Sequence, residues 1–189
     1  MNNAVSEQRF VERRHMIAVK NAMAAGVEAG RSVEASAFLL ACIDYLDFII
    51  GRFQAQGRAN LTRLGPKVEA SNDDEGRAVV ADIGQTLDKT GEALQKLLAE
   101  AVPFRGNSPS RQTQDLVVAA RRFVSFYDSV LASRKNPAQQ IIDRYFTPEE
   151  YWKLTDDVTP ASVATEHELY QRVVDLAPPG VAVPDQTSV

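Results

Sequence analysis

The chain has one cysteine, one tryptophan and two histidines in 189 residues. A lone thiol, Cys42, excludes an intramolecular disulfide, and no Cys/His spacing suited to zinc is present. Long apolar runs are also missing: none reaches the roughly 18–20 residues needed to cross a bilayer. The first fifteen residues lack the apolar stretch of a secretory signal. These absences lead to the expectation of a cytoplasmic protein without membrane insertion. The formal net charge of -4 argues against a general attraction to nucleic acid. No phosphate-cradling or dinucleotide-binding glycine loop, nucleophile elbow or His-Glu-x-x-His pattern occurs. Nothing therefore names a reaction, and the expectation leans away from an enzyme.

What is present is helical. Hydrophobic residues make up 44% and charged residues 24%, ordinary globular usage. Apolar spacing of three and four dominates, and strand-like alternation is almost absent. The spacing predicts a first helix over 6–29, with Met16, Val19, Met23 and Val27 as its stripe. A second is predicted over 33–64, with Phe38, Cys42, Tyr45, Ile49 and Phe53 on one face. Gly65-Pro66 is expected to end it, because proline cannot continue the hydrogen-bond ladder. A polar, mobile loop is expected over 69–76. The third helix, 77–101, carries Val80, Ile83, Leu87, Thr90, Leu94, Leu97 and Ala101 at alternating three- and four-residue steps, the seam of an antiparallel bundle. Gly84 and Gly91 on it are expected to admit a neighbouring backbone. The fourth helix, 110–134, aligns Leu116, Ala120, Phe123, Tyr127 and Val130. Asn136-Pro137 interrupts it. Thr147-Pro148-Glu149-Glu150 reads as a capped helix start, with Tyr151 and Trp152 packing across the open end of the bundle. A last helix is predicted over 160–176, ended by Pro178-Pro179-Gly180. The expected fold is all-α, an up-and-down four-helix bundle with short accessory C-terminal helices. Residues 1–176 are expected to form one domain and 177–189 a disordered tail.

Three segments carry a family resemblance over roughly residues 9–154. They are Arg13-Arg14-His15-Met16, the run from Tyr45 to Phe53, and Phe123 to Tyr127 with the later Phe146 to Leu154. Together they resemble the hemerythrin-like family, four-helix bundles that hold two irons between their helices. The resemblance implies a ligand histidine at His15. With Leu61 as anchor, it implies that the family's second-helix histidine falls on Gln54 and its carboxylate on Arg58. The fourth helix has no histidine; Val130, Leu131 and Arg134 stand near the ligand turn. A guanidinium has no lone pair and reverses the charge where dications would sit. The implied protein is therefore a bundle without a di-iron site.

Each remaining candidate has a plain structural reading beside it. His15, with Glu12 one turn before it, is either the core of an altered single-metal site or a histidine that faces solvent or makes one hydrogen bond. Gln54, Arg58 and Arg134, with His15, mark a possible pocket for a small anion at the former ligand positions. The plain alternative pairs the arginines with Asp47 or Glu92, or leaves them in water. Cys42 reads as a buried small hydrophobe rather than a redox thiol. His167, between Glu166 and Glu168, reads as a solvated helix face, with acid–base work alongside Asp143 or Asp157 as the alternative. Arg121, Arg122, Arg134 and Lys135 are local positive charge, and Phe126 and Tyr127 are expected to point inward rather than form a nucleic-acid stacking surface. The expected role is that of a metal-free binding, regulatory or accessory protein with no cofactor, acting on a protein partner or by self-association. An exposed apolar strip on the first helix or near Trp152 would fit that role.

Overall fold

The computed structural model describes residues 2–29, 33–105, 113–133, 137–147, 150 and 158–184. Their regular structure is helical: α1 (Asn2–Ala29), α2 (Val33–Ala70), α3 (Asp74–Ala101), a 3-10 turn (Val102–Arg105), α4 (Thr113–Ser133), α5 (Pro137–Tyr145) and α6 (Pro160–Leu176). Helix α1 packs on α2, α2 on α3, α3 on α4, and α4 returns to α1. Helix α6 lies against α2 and α1, and α5 against α3 and α2. No described helix is long and apolar enough to cross a membrane.

The predicted stripes bury as their spacing requires. Met16, Val19, Met23 and Val27 are buried on α1, and Leu116, Ala120, Phe123, Tyr127 and Val130 on α4. On α3, Leu87, Thr90, Leu94, Leu97 and Ala101 are buried, while Val80 and Ile83 are half-buried. Phe38, Leu39, Tyr45, Leu46 and Ile49 of α2 are fully enclosed at the centre of the main core. Cys42 is buried among them, as expected, and burial pushes its thiol above the ordinary value.

Helix α1 starts at Asn2 rather than at 6, and two later boundaries also differ from expectation. Helix α2 runs through Gly65-Pro66 to Ala70. Proline removes one ladder bond there, but the turn beyond it is held by tertiary contacts: Val68 joins Leu64, Ile141 and Phe146 in a satellite core. Lys67 Nζ donates to the Tyr145 carbonyl at 2.8 Å and lies over the Phe146 ring at 4.6 Å. The expected mobile loop over 69–76 reduces to a turn at Ser71 and Asn72, because α3 already starts at Asp74. Asp73 caps α3, accepting from Gly76 N at 2.9 Å, and is itself engaged by Tyr145 Oη at 2.6 Å and Arg144 Nη1 at 2.7 Å from α5. Those donors hold its carboxyl down at about 2, with the Tyr145 hydroxyl contributing most. Gly84 and Gly91 admit side chains rather than backbone: a Cβ at each would meet Leu61 Cδ1 at 3.7 Å and Gln54 Oε1 at 3.3 Å.

The C-terminal predictions hold in their starts and stops. Glu150 N donates to Thr147 Oγ1 at 3.2 Å and Thr147 N to Glu150 Oε2 at 2.9 Å, a reciprocal cap. Trp152 and Tyr151 lie outside the described residues. Helix α6 is capped by Thr159 and Ser162 with Pro160 in its first turn. Past its end, Val181 N donates to the Pro178 carbonyl at 3.0 Å across a turn whose Gly180 has φ +89°, a conformation suited to glycine. The expectation of disorder from 177 onward is corrected for residues 177–184. Val181 is buried in the main core and Val183 packs on it. Tyr170 Oη donates to the Pro184 carbonyl at 2.7 Å, which ties this strand of chain back onto α6.

Candidate functional site

The helical repeat that puts Met16 and Val19 inside also turns Glu12 and His15 inward, on the same face of α1. Both are buried, at 0% and 3% exposure. The repeat on α6 likewise sends Glu166, Tyr170 and Val173 inward at steps of four and three, and all three are buried. Tyr45 and Arg52 of α2, two turns apart, complete the set. The result is two adjoining polar groups enclosed by α1, α2 and α6.

The first group centres on Glu166. Its Oε1 accepts from the Tyr45 hydroxyl at 2.7 Å and lies 2.9 Å from His15 Nδ1. An ionised carboxylate only accepts, so this contact puts a proton on Nδ1. The imidazole stacks on Tyr170 with ring centroids 3.9 Å apart and planes 18° from parallel, and Tyr170 meets Tyr45 edge-on at 5.7 Å. Burial first, and the negative charge of Glu166 second, push the Tyr45 hydroxyl far above its ordinary value. His15 Nε2 is enclosed and has no hydrogen-bond partner among the described residues. The ring is therefore oriented as a base would be, yet closed from the water a base would activate.

The second group centres on Glu12. Arg52 Nη1 donates to its Oε1 at 2.8 Å and Arg9 Nη1 to its Oε2 at 3.0 Å. Both guanidiniums rest on aromatic faces, Arg9 over Phe53 and Arg52 over Phe48, each 5.4 Å from the ring centroid. The two guanidiniums already match the charge of this carboxylate from within the chain.

His15 thus faces inward and makes one hydrogen bond, the second arm of its plain reading, because it shares the buried stripe of α1. Among the described residues, Gln54 and Arg58 of the expected pocket make their polar contacts elsewhere. Gln54 Nε2 donates to the Leu87 carbonyl at 3.2 Å, toward α3. Arg58 is exposed and pairs with Asp88 at 2.9 Å, not with Asp47 or Glu92. Arg134 lies outside the described residues. His167 is exposed, as expected, while its neighbour Glu166 carries the buried contact. Among the described residues no three histidine, cysteine, aspartate or glutamate side chains gather as a metal cage.

Glu166, Arg9 and Arg52 carry the site without having been singled out in the sequence. The signal for Glu166 was there: four residues before Tyr170 and seven before Val173, it falls on the apolar face of α6. Comparison with known protein families, with curated proteins and with solved structures finds no match to this chain.

Proposed function

We propose that the chain is a hemerythrin-like four-helix bundle without the di-iron ligands, working as a binding, regulatory or accessory protein. The closed order of contacts, α1 to α2 to α3 to α4 and back to α1, supports the bundle plan. The observation that carries the functional reading is the pairing of the interior polar groups with one another. Glu12, one turn from His15, is held by Arg9 and Arg52, and His15 Nδ1 is held by Glu166 of α6. A di-iron centre needs several imidazoles and free bridging carboxylates converging from different helices. Here the donors answer protein cations and hydroxyls instead.

An exposed strip on α1 supports a protein partner. Phe10 is 60% exposed and Ile17 is 42% exposed. Seven residues apart, they lie on one face about 10 Å from each other. Arg14 stands between them, its guanidinium 5.5 Å from the Phe10 ring centroid. Large exposed hydrophobics aligned in this way fit the apolar centre of an interface.

The test is metal content. Untagged protein from iron-replete cells is expected to contain iron, manganese and zinc well below one equivalent per chain. Stoichiometric metal that disappears in His15→Gln would overturn the reading and install the alternative, an altered single-metal site that uses the free Nε2.

A further inference from the structure

The outer face between α3 and α4 holds a groove of about 390 Å³. That volume lies within the range of small-molecule sites, roughly 300–1,000 Å³. The groove exists because alanine stands at 93 on α3 and at 119 on α4, where larger side chains would close the gap. Phe123 and Phe126 of α4 give it an aromatic wall. Two cations border this apolar floor from opposite sides, Lys96 of α3 and Arg122 of α4. Neither makes a hydrogen bond or ion pair within the described residues. Glu92 and Glu100 lie one helical turn either side of Lys96, and still no pair forms. With Lys89 at one end, the rim has three cations against two carboxylates.

An apolar floor edged by unpaired cations selects for a molecule that has both properties. We propose that this groove binds an amphiphilic monoanion, a carboxylate carried on an apolar body such as an alkyl chain. The planar guanidinium of Arg122 offers two parallel donors to the carboxylate, and Lys96 adds a second positive charge. The alkyl part lies along Ala93, Ala119 and the two phenylalanine rings, where it removes apolar surface from water. The site stands on α3 and α4 residues alone. Its fate is separate from the metal-free reading of the α1, α2 and α6 cluster.

Monomeric decanoate, titrated by calorimetry into the full chain, tests the proposal. Saturable binding of one decanoate per chain is expected. Acetate, which has the charge without the chain, is expected to give no saturation at the same concentration, and decanol to bind at least tenfold more weakly. Replacing both exposed cations (Lys96→Gln with Arg122→Gln) should weaken decanoate at least tenfold with an unchanged melting temperature. Ala119→Leu, which fills the floor from a half-buried position, should abolish binding in a folded chain. Binding that is absent at about 1 mM, the weak end of specific affinity, overturns the proposal. So does binding that survives either variant, or decanol that matches decanoate. Cosedimentation with phosphatidylglycerol vesicles in the absence of decanoate binding would also overturn it, in favour of a membrane surface.

Discussion

Glu166→Ala is expected to be among the most damaging single substitutions on α6. The carboxylate is 2% exposed and serves two buried donors, the Tyr45 hydroxyl at 2.7 Å and His15 Nδ1 at 2.9 Å. Truncation orphans both, and a buried unsatisfied polar group costs about 1–3 kcal/mol. A change of His15 tautomer recovers little, since Nε2 has no partner either, so a loss of about 2–6 kcal/mol is expected. For a chain of this size it corresponds to a fall of roughly 4–24 °C in Tm. Urea unfolding followed by circular dichroism measures it, with the slope checked for two-state behaviour. Tyr45→Phe should cost only about 1 kcal/mol in the parent, because Glu166 keeps its contact with His15. In the Glu166→Ala background the same change should be nearly neutral or stabilising, since it removes a hydroxyl already stranded. The resulting coupling is expected at about 1–2 kcal/mol. A Glu166→Ala chain within about 1 kcal/mol of the parent, or strictly additive effects, would refute the reasoning that these groups are buried and mutually satisfied.

Other outcomes follow from the same geometry. A Cβ at Gly26 would sit 2.6 Å from Cε1 of Phe38, a ring with 0% exposure, so Gly26→Ala should destabilise by about 1–3 kcal/mol on chemical denaturation. Gly51→Ala, where nothing lies within 4 Å, should stabilise by about 0.5–1 kcal/mol through helix propensity. Cys42 and Tyr45 both have raised folded-state values, against ordinary ones of 9.0 and 10.0. Their neutral forms therefore support the fold below those values. Above about pH 9 the unfolded chain loses protons that the folded one keeps, so stability must fall, by up to about 1.4 kcal/mol per pH unit for each group. Cys42→Ala should remove the part of that slope that begins near pH 9, as read by unfolding at a series of alkaline pH values. Asp73 has the opposite sign: its carboxyl is held down at about 2, so its contribution is present above the ordinary carboxylate range and is lost as pH falls through about 2. Asp73→Asn should accordingly flatten the acid side of the stability profile.

Helix spacing made most of the architecture legible, for reasons visible at single positions. On α4, Leu116, Ala120, Phe123, Tyr127 and Val130 follow one face without a break, and each is buried. Thr147 with Glu150 identified a cap from side-chain chemistry alone, and Pro178-Pro179-Gly180 identified a stop. Pro66 does not end the helix, because the satellite core holds Val68 and the Tyr145 carbonyl holds Lys67 beyond it, contacts that local propensity does not contain. The polar cluster was half legible. Glu12 and His15 share the phase of Met16 and Val19, which places them inside. Arg9 is a partner on α1 itself, but Arg52 comes from α2 and Glu166 from α6, 151 residues beyond His15, and periodicity within one helix does not reveal which helices meet. The place of Arg58 on α2 puts it outside the core, where Asp88 answers it. The packing of residues 177–184 depends on the main core that earlier helices form and has no local signal beyond Val181 and Val183.

The central claim is that the polar interior is closed by the chain's own cations and hydroxyls. Crystals of untagged protein from iron-replete cells, measured at the iron absorption edge, test it most directly. An anomalous difference map with no peak between the helices, and His15 Nδ1 within hydrogen-bond distance of Glu166, is the predicted result. A pair of iron peaks enclosed by α1 to α4 would contradict it.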